Sequence, residues 1–183
     1  MDVPQTIARL MLRLPGLTAA AGGRDIDWAA IRDGIGTGLP SDYRELSTRC
    51  PSFSVDEFLL VSTPVPGSEA AFVSGVRSDR EILEDDLREG DVPAEYTTGE
   101  GDGARPALLA WAGTPDGDEI LWHTAAADPD TWPVVVRSRG GGWWSYPEGA
   151  VSFLEGLYAG RIAVPGLPAS LPSGDRRVSF HAF

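Results

Sequence analysis

The spacing of apolar residues sets the first elements. Val3, Ile7, Leu10, Leu14 and Leu17 recur at alternating four- and three-residue intervals, which puts one apolar stripe on a helix. Gly16 and the Gly22-Gly23 pair end it. A shorter helix is predicted around Trp28 and Ile31, before the glycine-rich stretch Gly34-Ile35-Gly36-Thr37-Gly38. A third helix starts at Pro40-Ser41-Asp42, where Ser41 can cap the first amides and Asp42 puts negative charge at the positive end of the dipole. It stops at Cys50-Pro51, because the residue before a proline is pushed out of the α region. Residues Val55 to Val61 read as one apolar strand, followed by a Pro-Gly loop through Gly67. Phe72, Val76, Leu83 and Leu87 keep helical spacing in a helix from Ser68 to Glu89, with Ser78 as a place for a break.

The stretch Gly90 to Arg105 is rich in Gly, Pro, Asp and Glu and reads as a loop. A meander of short strands follows: Ala107 to Gly113, Glu119 to Thr124, Pro133 to Ser138 and Trp143 to Tyr146. Thr114-Pro115-Asp116-Gly117 has Pro and Gly where a type I turn wants them, and Arg139-Gly140-Gly141-Gly142 permits a reversal with positive φ. A last helix, Glu148 to Ile162, points Val151, Leu154, Leu157 and Tyr158 inward. The tail from Val164 to Phe183 is Pro/Gly-rich, with Val178–Phe180 as a candidate edge strand. Connected antiparallel strands flanked by helices give an α+β domain, with about four to six strands in a sheet backed by helices. No internal repeat is present.

Charge narrows the function classes. The chain of 183 residues carries 15 basic and 27 acidic residues, a net charge of −12, and every basic residue is Arg. Nucleic-acid binding needs Lys and Arg in excess, so a nucleic-acid partner is not expected. A basic partner suits this balance. The single cysteine, Cys50, can form no disulfide within the chain and beside Pro51 reads as a small buried apolar side chain. No apolar stretch approaches the roughly 20 residues of a membrane span, and the start of the chain lacks a basic targeting region. A cytoplasmic location and no membrane partner are the expectation.

Three segments, in this order, resemble the SUKH superfamily, the group related to the fungal cell-wall-synthesis regulator and abundant among bacterial toxin-immunity proteins. The first is Leu39-Pro40-Ser41-Asp42-Tyr43, similar to the family's Leu-Pro-x-Asp-Tyr signature. The second runs from Leu109 through Trp111-Ala112-Gly113-Thr114 and the Asp116-Gly117-Asp118 turn to Trp122. The third is Asp128-Pro129-Asp130-Thr131-Trp132-Pro133-Val134, then Trp144 and the closing helix around Phe153-Leu154. One departure is Arg49-Cys50-Pro51-Ser52, where the family usually has glycine. The resemblance divides the chain into an N-terminal helical extension (1–38) packed on the core, a SUKH-like domain (39–162) and a Pro/Gly-rich tail (163–183). It implies binding rather than catalysis, with bacterial members commonly neutralising a toxin domain of nuclease or deaminase type. No contact residue carries over, since these vary between members.

Catalytic signals are thin. His123 and His181 stand far apart, and neither belongs to a metal-binding His-Glu-x-x-His pattern. A triad of Ser74, His123 and Asp118 has no support, because Val73-Ser74-Gly75 is not a nucleophile elbow. The Gly34–Gly38 stretch follows a helix, lacks a lysine and has the wrong glycine spacing for a phosphate cradle, so it reads as a loop. Asp116-Gly117-Asp118 lacks the rest of a calcium loop, which favours turn chemistry. No catalytic, metal or cofactor residue is assigned. An enzyme would show a pocket lined by titratable groups with shifted pKa values, and no such cluster is visible in the sequence.

Candidate partner-binding residues are Asp116, Asp118, Glu119, Asp128, Asp130, Trp132 and Trp143. If the two acidic loops rise together beside the sheet, they form one negative surface with Trp132 as its anchor, able to steer a basic toxin domain. The plainer reading is a solvated face that keeps the protein soluble. Trp143 and Trp144 are adjacent and point to opposite sides of their strand, so one is expected to be exposed and available as an anchor. Two functions are therefore carried: an immunity-type protein that blocks a toxin, and a regulatory scaffold of the same fold with housekeeping partners.

Overall fold

The computed structural model describes residues 2–168, 171 and 174–181. Its helices are α1 (Val3–Arg13), α2 (Trp28–Ile35), α3 (Ser41–Arg49), α4 (Glu69–Glu89) and α5 (Ala150–Tyr158). Its strands are β1 (Phe53–Val55), β2 (Leu59–Val61), β3 (Thr97–Thr98), β4 (Arg105–Pro106), β5 (Leu108–Gly113), β6 (Glu119–His123), β7 (Val134–Arg137), β8 (Trp143–Tyr146) and β9 (Val178–Phe180). The fold is α+β: a seven-stranded antiparallel sheet in the order β8-β7-β6-β5-β2-β1-β9, and a two-stranded ribbon β3-β4.

The sheet has one strand more than the upper end of the expected range. One reason is that 55–61 is a hairpin rather than a single strand. Asp56 and Glu57 take φ of 53° and 56°, which reverses the chain between β1 and β2. Aspartate tolerates this left-handed region better than most residues. Here the strained turn is held by the tail: the Asp56 carboxylate accepts from the N–H groups of Arg176 (3.1 Å) and Arg177 (2.8 Å). Those contacts lead into β9, which pairs antiparallel with β1.

Strand alternation sends Ile120, Trp122, Val134 and Val136 to one face of the sheet, and Leu121, Val135 and Trp143 to the other. The first face carries the main core, on which α1, α3 and α5 pack against one another. Buried Glu155 of α5 holds α1 in place through Arg13 (3.8 Å) and also pairs with Arg161. Arg24 ties the segment after α1 to the end of α3, donating to the carbonyls of Ser47 (2.6 Å) and Cys50 (2.9 Å) that a helix end leaves unpaired. The second face is covered by α4 and Val92 and Tyr96 beyond it.

The helix α4 runs unbroken through Ser78 for 21 residues. Its N-terminal half lies on α2 at Gly34, where a Cβ would fall 2.7 Å from both methyl groups of Val73. Gly36 then ends α2 in the left-handed region at φ 82°. Both glycines therefore serve helix packing and termination.

The start of α3 also differs from expectation. Pro40 is its N-cap and Ser41 makes no side-chain cap; instead the Ser41 N–H donates to Asp130 at 2.5 Å. Asp42 serves two helices: one carboxylate oxygen accepts from the Tyr43 N–H of its own first turn at 2.7 Å, and the other caps α5, accepting from the Val151 N–H at 2.9 Å. Gly149 is required beside it, since a Cβ there would meet the Asp42 carboxylate at 2.7 Å.

Candidate functional site

The long helix α4 crosses the second face of the sheet and leaves a groove along one side. Phe72, Val76, Asp79, Ile82 and Asp86 follow at three- and four-residue spacing, so they line that side together. The facing wall comes from β5, the start of β6 and the turn after β7. Near the N-terminal half of α4 the groove is a cleft of about 400 Å³, walled by Val65, Phe72, Val76, Ala110, Trp111 and Ala112 with Asp79 and Glu119. Further along it widens to a trough of about 790 Å³ containing Ile82, Asp86, Asp91, Arg137, Arg139 and Trp143. Glu119 lines both parts.

A bulge shapes the cleft. The β5–β6 register passes from Ala110↔Leu121 to Ala112↔Ile120, leaving Trp111 as the extra residue. Its carbonyl accepts from Ser62 N–H of the loop after β2 at 3.1 Å, and its ring stacks on Trp122 at 5.5 Å.

The electrostatics are unbalanced. Arg137 is shared: it bonds Asp86 tightly and reaches Glu119 at 3.2 Å. Burial pushes the Glu119 carboxyl up; Arg137 pulls it down, and the charges of Asp86 and Asp79 add to the rise. Burial alone pushes Asp79 up, with no hydrogen bond or opposite charge to offset it. Burial lowers Arg137, but its bonds and charge contacts with Asp86 and Glu119 outweigh that and keep it firmly charged. Along the groove four carboxylates, Asp79, Glu119, Asp86 and Asp91, thus face two guanidiniums, Arg137 and Arg139.

Asp79 is a site residue that is hard to find from sequence alone, yet a signal was present: it occupies a position of the apolar stripe Phe72, Val76, Leu83, where a carboxylate has no packing reason to be. A raised carboxyl in the folded state binds its proton more tightly than in the unfolded chain, so its effect on stability is most favourable at low pH and is lost as pH rises through the folded value. Asp79→Asn is accordingly expected to raise the thermal midpoint at pH 7 by about 1–2 °C, the scale of a roughly 0.5 kcal/mol gain at this chain length. Differential scanning calorimetry at pH 7 and pH 4 checks this, with the gap between variant and wild type narrowing at the lower pH.

The residues singled out in the sequence fall in two separate places. Glu119 and Trp143 lie in the groove. Trp143 stacks on Tyr96 at 5.3 Å and carries the Arg137 guanidinium 5.4 Å from its ring centroid. Trp144 is half-buried too, its ring against Gly142 and Gly166, so neither tryptophan is a bare surface anchor. Asp116 is exposed at the tip of the β5–β6 turn. Asp118 is not a surface residue: 6% exposed, it accepts from the Thr114 hydroxyl (2.7 Å) and the Arg139 N–H (2.9 Å), joining two turns.

Asp118→Ala is expected to destabilise the fold by about 1–3 kcal/mol, because the buried Thr114 hydroxyl and the part-buried Arg139 N–H lose their acceptor. A downward shift of the urea midpoint with unchanged slope would verify it.

Asp128, Asp130 and Trp132 belong to another part of the molecule. Asp128 caps the short helical turn Pro129–Thr131, and Asp130 is committed to α3. Trp132 is 3% exposed, with its indole donating to Ala126 O at 2.7 Å, so it anchors its own loop and no partner. The two acidic loops do not form one surface. They leave opposite ends of β6, a strand of 5 residues, which at about 3.4 Å per residue keeps them more than about 13 Å apart.

Of the remaining candidates, His123 packs edge-on to Tyr96 at 5.4 Å, and burial lowers its pKa. Cys50 is fully buried, its thiol pushed up to about 11 by burial, which makes it a packing residue. Among the described residues no group of three or more His, Cys, Asp or Glu could hold a metal, and no helix is long and apolar enough to cross a membrane. The fold does assemble the cleft with shifted carboxylates that the sequence hides. Beside Asp79 and Glu119 it offers hydroxyls and apolar side chains, and Glu119 is tied to Arg137, an arrangement suited to receiving a cation. Comparison with models of known protein families, with curated proteins and with solved structures gives no match, so the functional argument rests on the residues of this chain.

Proposed function

We propose that this chain is a SUKH-type binding protein that neutralises a basic intracellular toxin domain, of nuclease or deaminase type, by forming a tight complex in the cytoplasm. It turns nothing over and needs no cofactor. The observation that carries the reading is the under-compensated acidic groove along α4, with Ile82 exposed at 55% on its rim. An apolar contact flanked by unpaired negative charge favours a protein partner with cationic side chains, and the net charge of −12 speeds their encounter. The segments that carry the SUKH resemblance support it in kind. Leu39 and Tyr43 are buried in the main core, and Asp42 links the signature helix to the closing helix.

The test is affinity capture from the native cell and its toxin-producing siblings at low and moderate salt, followed by titration of any captured activity. One dominant partner whose nuclease or deaminase activity falls to zero at one equivalent of this protein supports the reading. A spread of housekeeping partners with no inhibited activity replaces it with the regulatory scaffold, and a partner-free protein that turns over a small molecule overturns both.

A further inference from the structure

Left-handed backbone outside glycine gathers at one joint. Among the described residues the non-glycine positions with positive φ are Asp56, Glu57 and Arg176, at 53°, 56° and 54°. They meet where the tail joins the sheet. The Asp56 N–H donates to Arg177 O at 2.7 Å, and its carboxylate accepts from the N–H groups of Arg176 and Arg177. A side chain costs free energy in this region that glycine avoids, so the chain enters β9 through a strained turn at Arg176. The strand beyond it is slight: β9 has 3 residues, lies at the end of the sheet and pairs with β1 alone. Phe180 on it is 42% exposed.

The seat of β9, by contrast, cannot be left bare. Phe53 and Val55 of β1 are buried, and the Ser52 carbonyl accepts from the His181 N–H at 2.8 Å. The Ser54 hydroxyl, on a residue 1% exposed, lies 2.8 Å from the His181 Nε2. Gly16 shapes the same seat, since a Cβ there would fall 3.0 Å from the Val178 Cβ. Removing β9 would expose an unpaired strand edge and buried polar groups. The segment fitted to this seat is β9 itself, and every copy of the chain carries one.

We propose that β9 is exchanged between two copies of this chain, each tail strand pairing antiparallel with β1 of the other copy. The ladder with β1 is the same in both states, and only the path into it differs. Folding back within one chain forces the left-handed turn at Arg176, whereas crossing to a second copy lets the chain run on extended. A short strained joint before a terminal strand invites such an exchange, and two copies close it as a twofold dimer. Because two chains form one particle, exchange grows with protein concentration. The α4 groove takes no residue from β1 or β9, so the inference goes beyond the binding role above and stands without it.

The test mixes two versions of the full chain with different tags, one carrying Ser54→Cys and the other Ser179→Cys. These positions face each other in the β1–β9 register, and Ser54 is buried. After incubation and oxidation, a disulfide between the two versions requires β9 of one copy on β1 of the other. The Ser179→Cys chain mixed with wild type gives the background from Cys50. Leu121→Cys mixed with Val135→Cys, a pair opposed in the middle of the sheet, reports opening of the whole chain. The expected result is a mixed disulfide between positions 54 and 179 whose yield rises with protein concentration, with none above background between 121 and 135. Inserting Gly-Ser-Gly after Gly174 lets β9 fold back without the tight turn and lowers that yield about ten-fold, the weight of one left-handed residue. Circular dichroism establishes that each version is folded. No mixed disulfide, a yield independent of concentration, an equal yield at the control pair, or indifference to the insertion overturns the proposal.

Discussion

Replacing Trp122 with alanine is expected to cost about 3–5 kcal/mol, the largest single effect in this fold. Trp122 is 0% exposed. Its ring meets Tyr43 edge-on at 4.9 Å, stacks on Trp111 at 5.5 Å and tilts against Trp132 at 6.4 Å. Its indole N–H has no acceptor among the described residues, so what alanine removes is apolar contact and ring geometry rather than a hydrogen bond. Truncation would open a cavity at the point where α3, β5, β6 and the loop before β7 meet, and these elements can close it only by moving. Trp122→Phe keeps an edge contact with Tyr43 and is expected to cost about 1–3 kcal/mol less than alanine does. Urea unfolding followed by far-ultraviolet circular dichroism measures both. A cost for alanine below about 1 kcal/mol would mean that the aromatic cluster does not hold the helices on the sheet.

The second large effect is at Asp42. Asp42→Ala is expected to destabilise by about 2 kcal/mol, combining the loss of a helix cap with a buried N–H left unpaired. The size follows from position, because Asp42 joins two helices packed on the same face of the sheet, accepting from Val151 N–H of α5 and Tyr43 N–H of α3. Asp42→Asn retains an oxygen for the Val151 N–H and should lose less than half as much. The pH dependence separates the two. Burial pushes the Asp42 carboxyl above its ordinary value of 3.8, the Val151 and Tyr43 N–H groups oppose this, and Asp130 adds to the rise. With the folded value raised, the native state holds the proton more tightly. The contribution of Asp42 is therefore fully present below the unfolded value and is lost as pH rises through the folded one. The stability gap between wild type and Asp42→Asn is thus expected to shift in favour of wild type on acidification from pH 7 toward pH 4. A gap that moves the other way would show that the hydrogen bonds, not burial, dominate.

The parts of this fold that were legible in the sequence are those fixed by local chemistry. The four meander strands appear within a residue or two of their expected bounds, because Pro115, Gly117 and the Gly140–Gly142 run mark the reversals between Leu- and Val-rich stretches. The tail strand β9 forms where Val178–Phe180 suggested an edge. The Asp56–Glu57 turn was hidden because its left-handed residues are not glycines, and the amides that stabilise it come from Arg176 and Arg177, 120 and 121 positions from Asp56. Asp118 and Trp132 looked like surface chemistry because their residue types favour it, while their burial depends on Thr114, Arg139 and Ala126. The groove depends on which face of α4 meets the sheet, and only the carboxylate set into its apolar stripe announced it.

The central claim, that the α4 groove is where a basic protein partner seats, is tested most directly by a hydrogen-exchange footprint of this chain in its captured complex. The expected result is slowed exchange in residues 72–91 and 111–119, weaker at high salt, with α1 and β9 unchanged. Protection confined to α1, β9 or the loop around Asp128 would contradict the account.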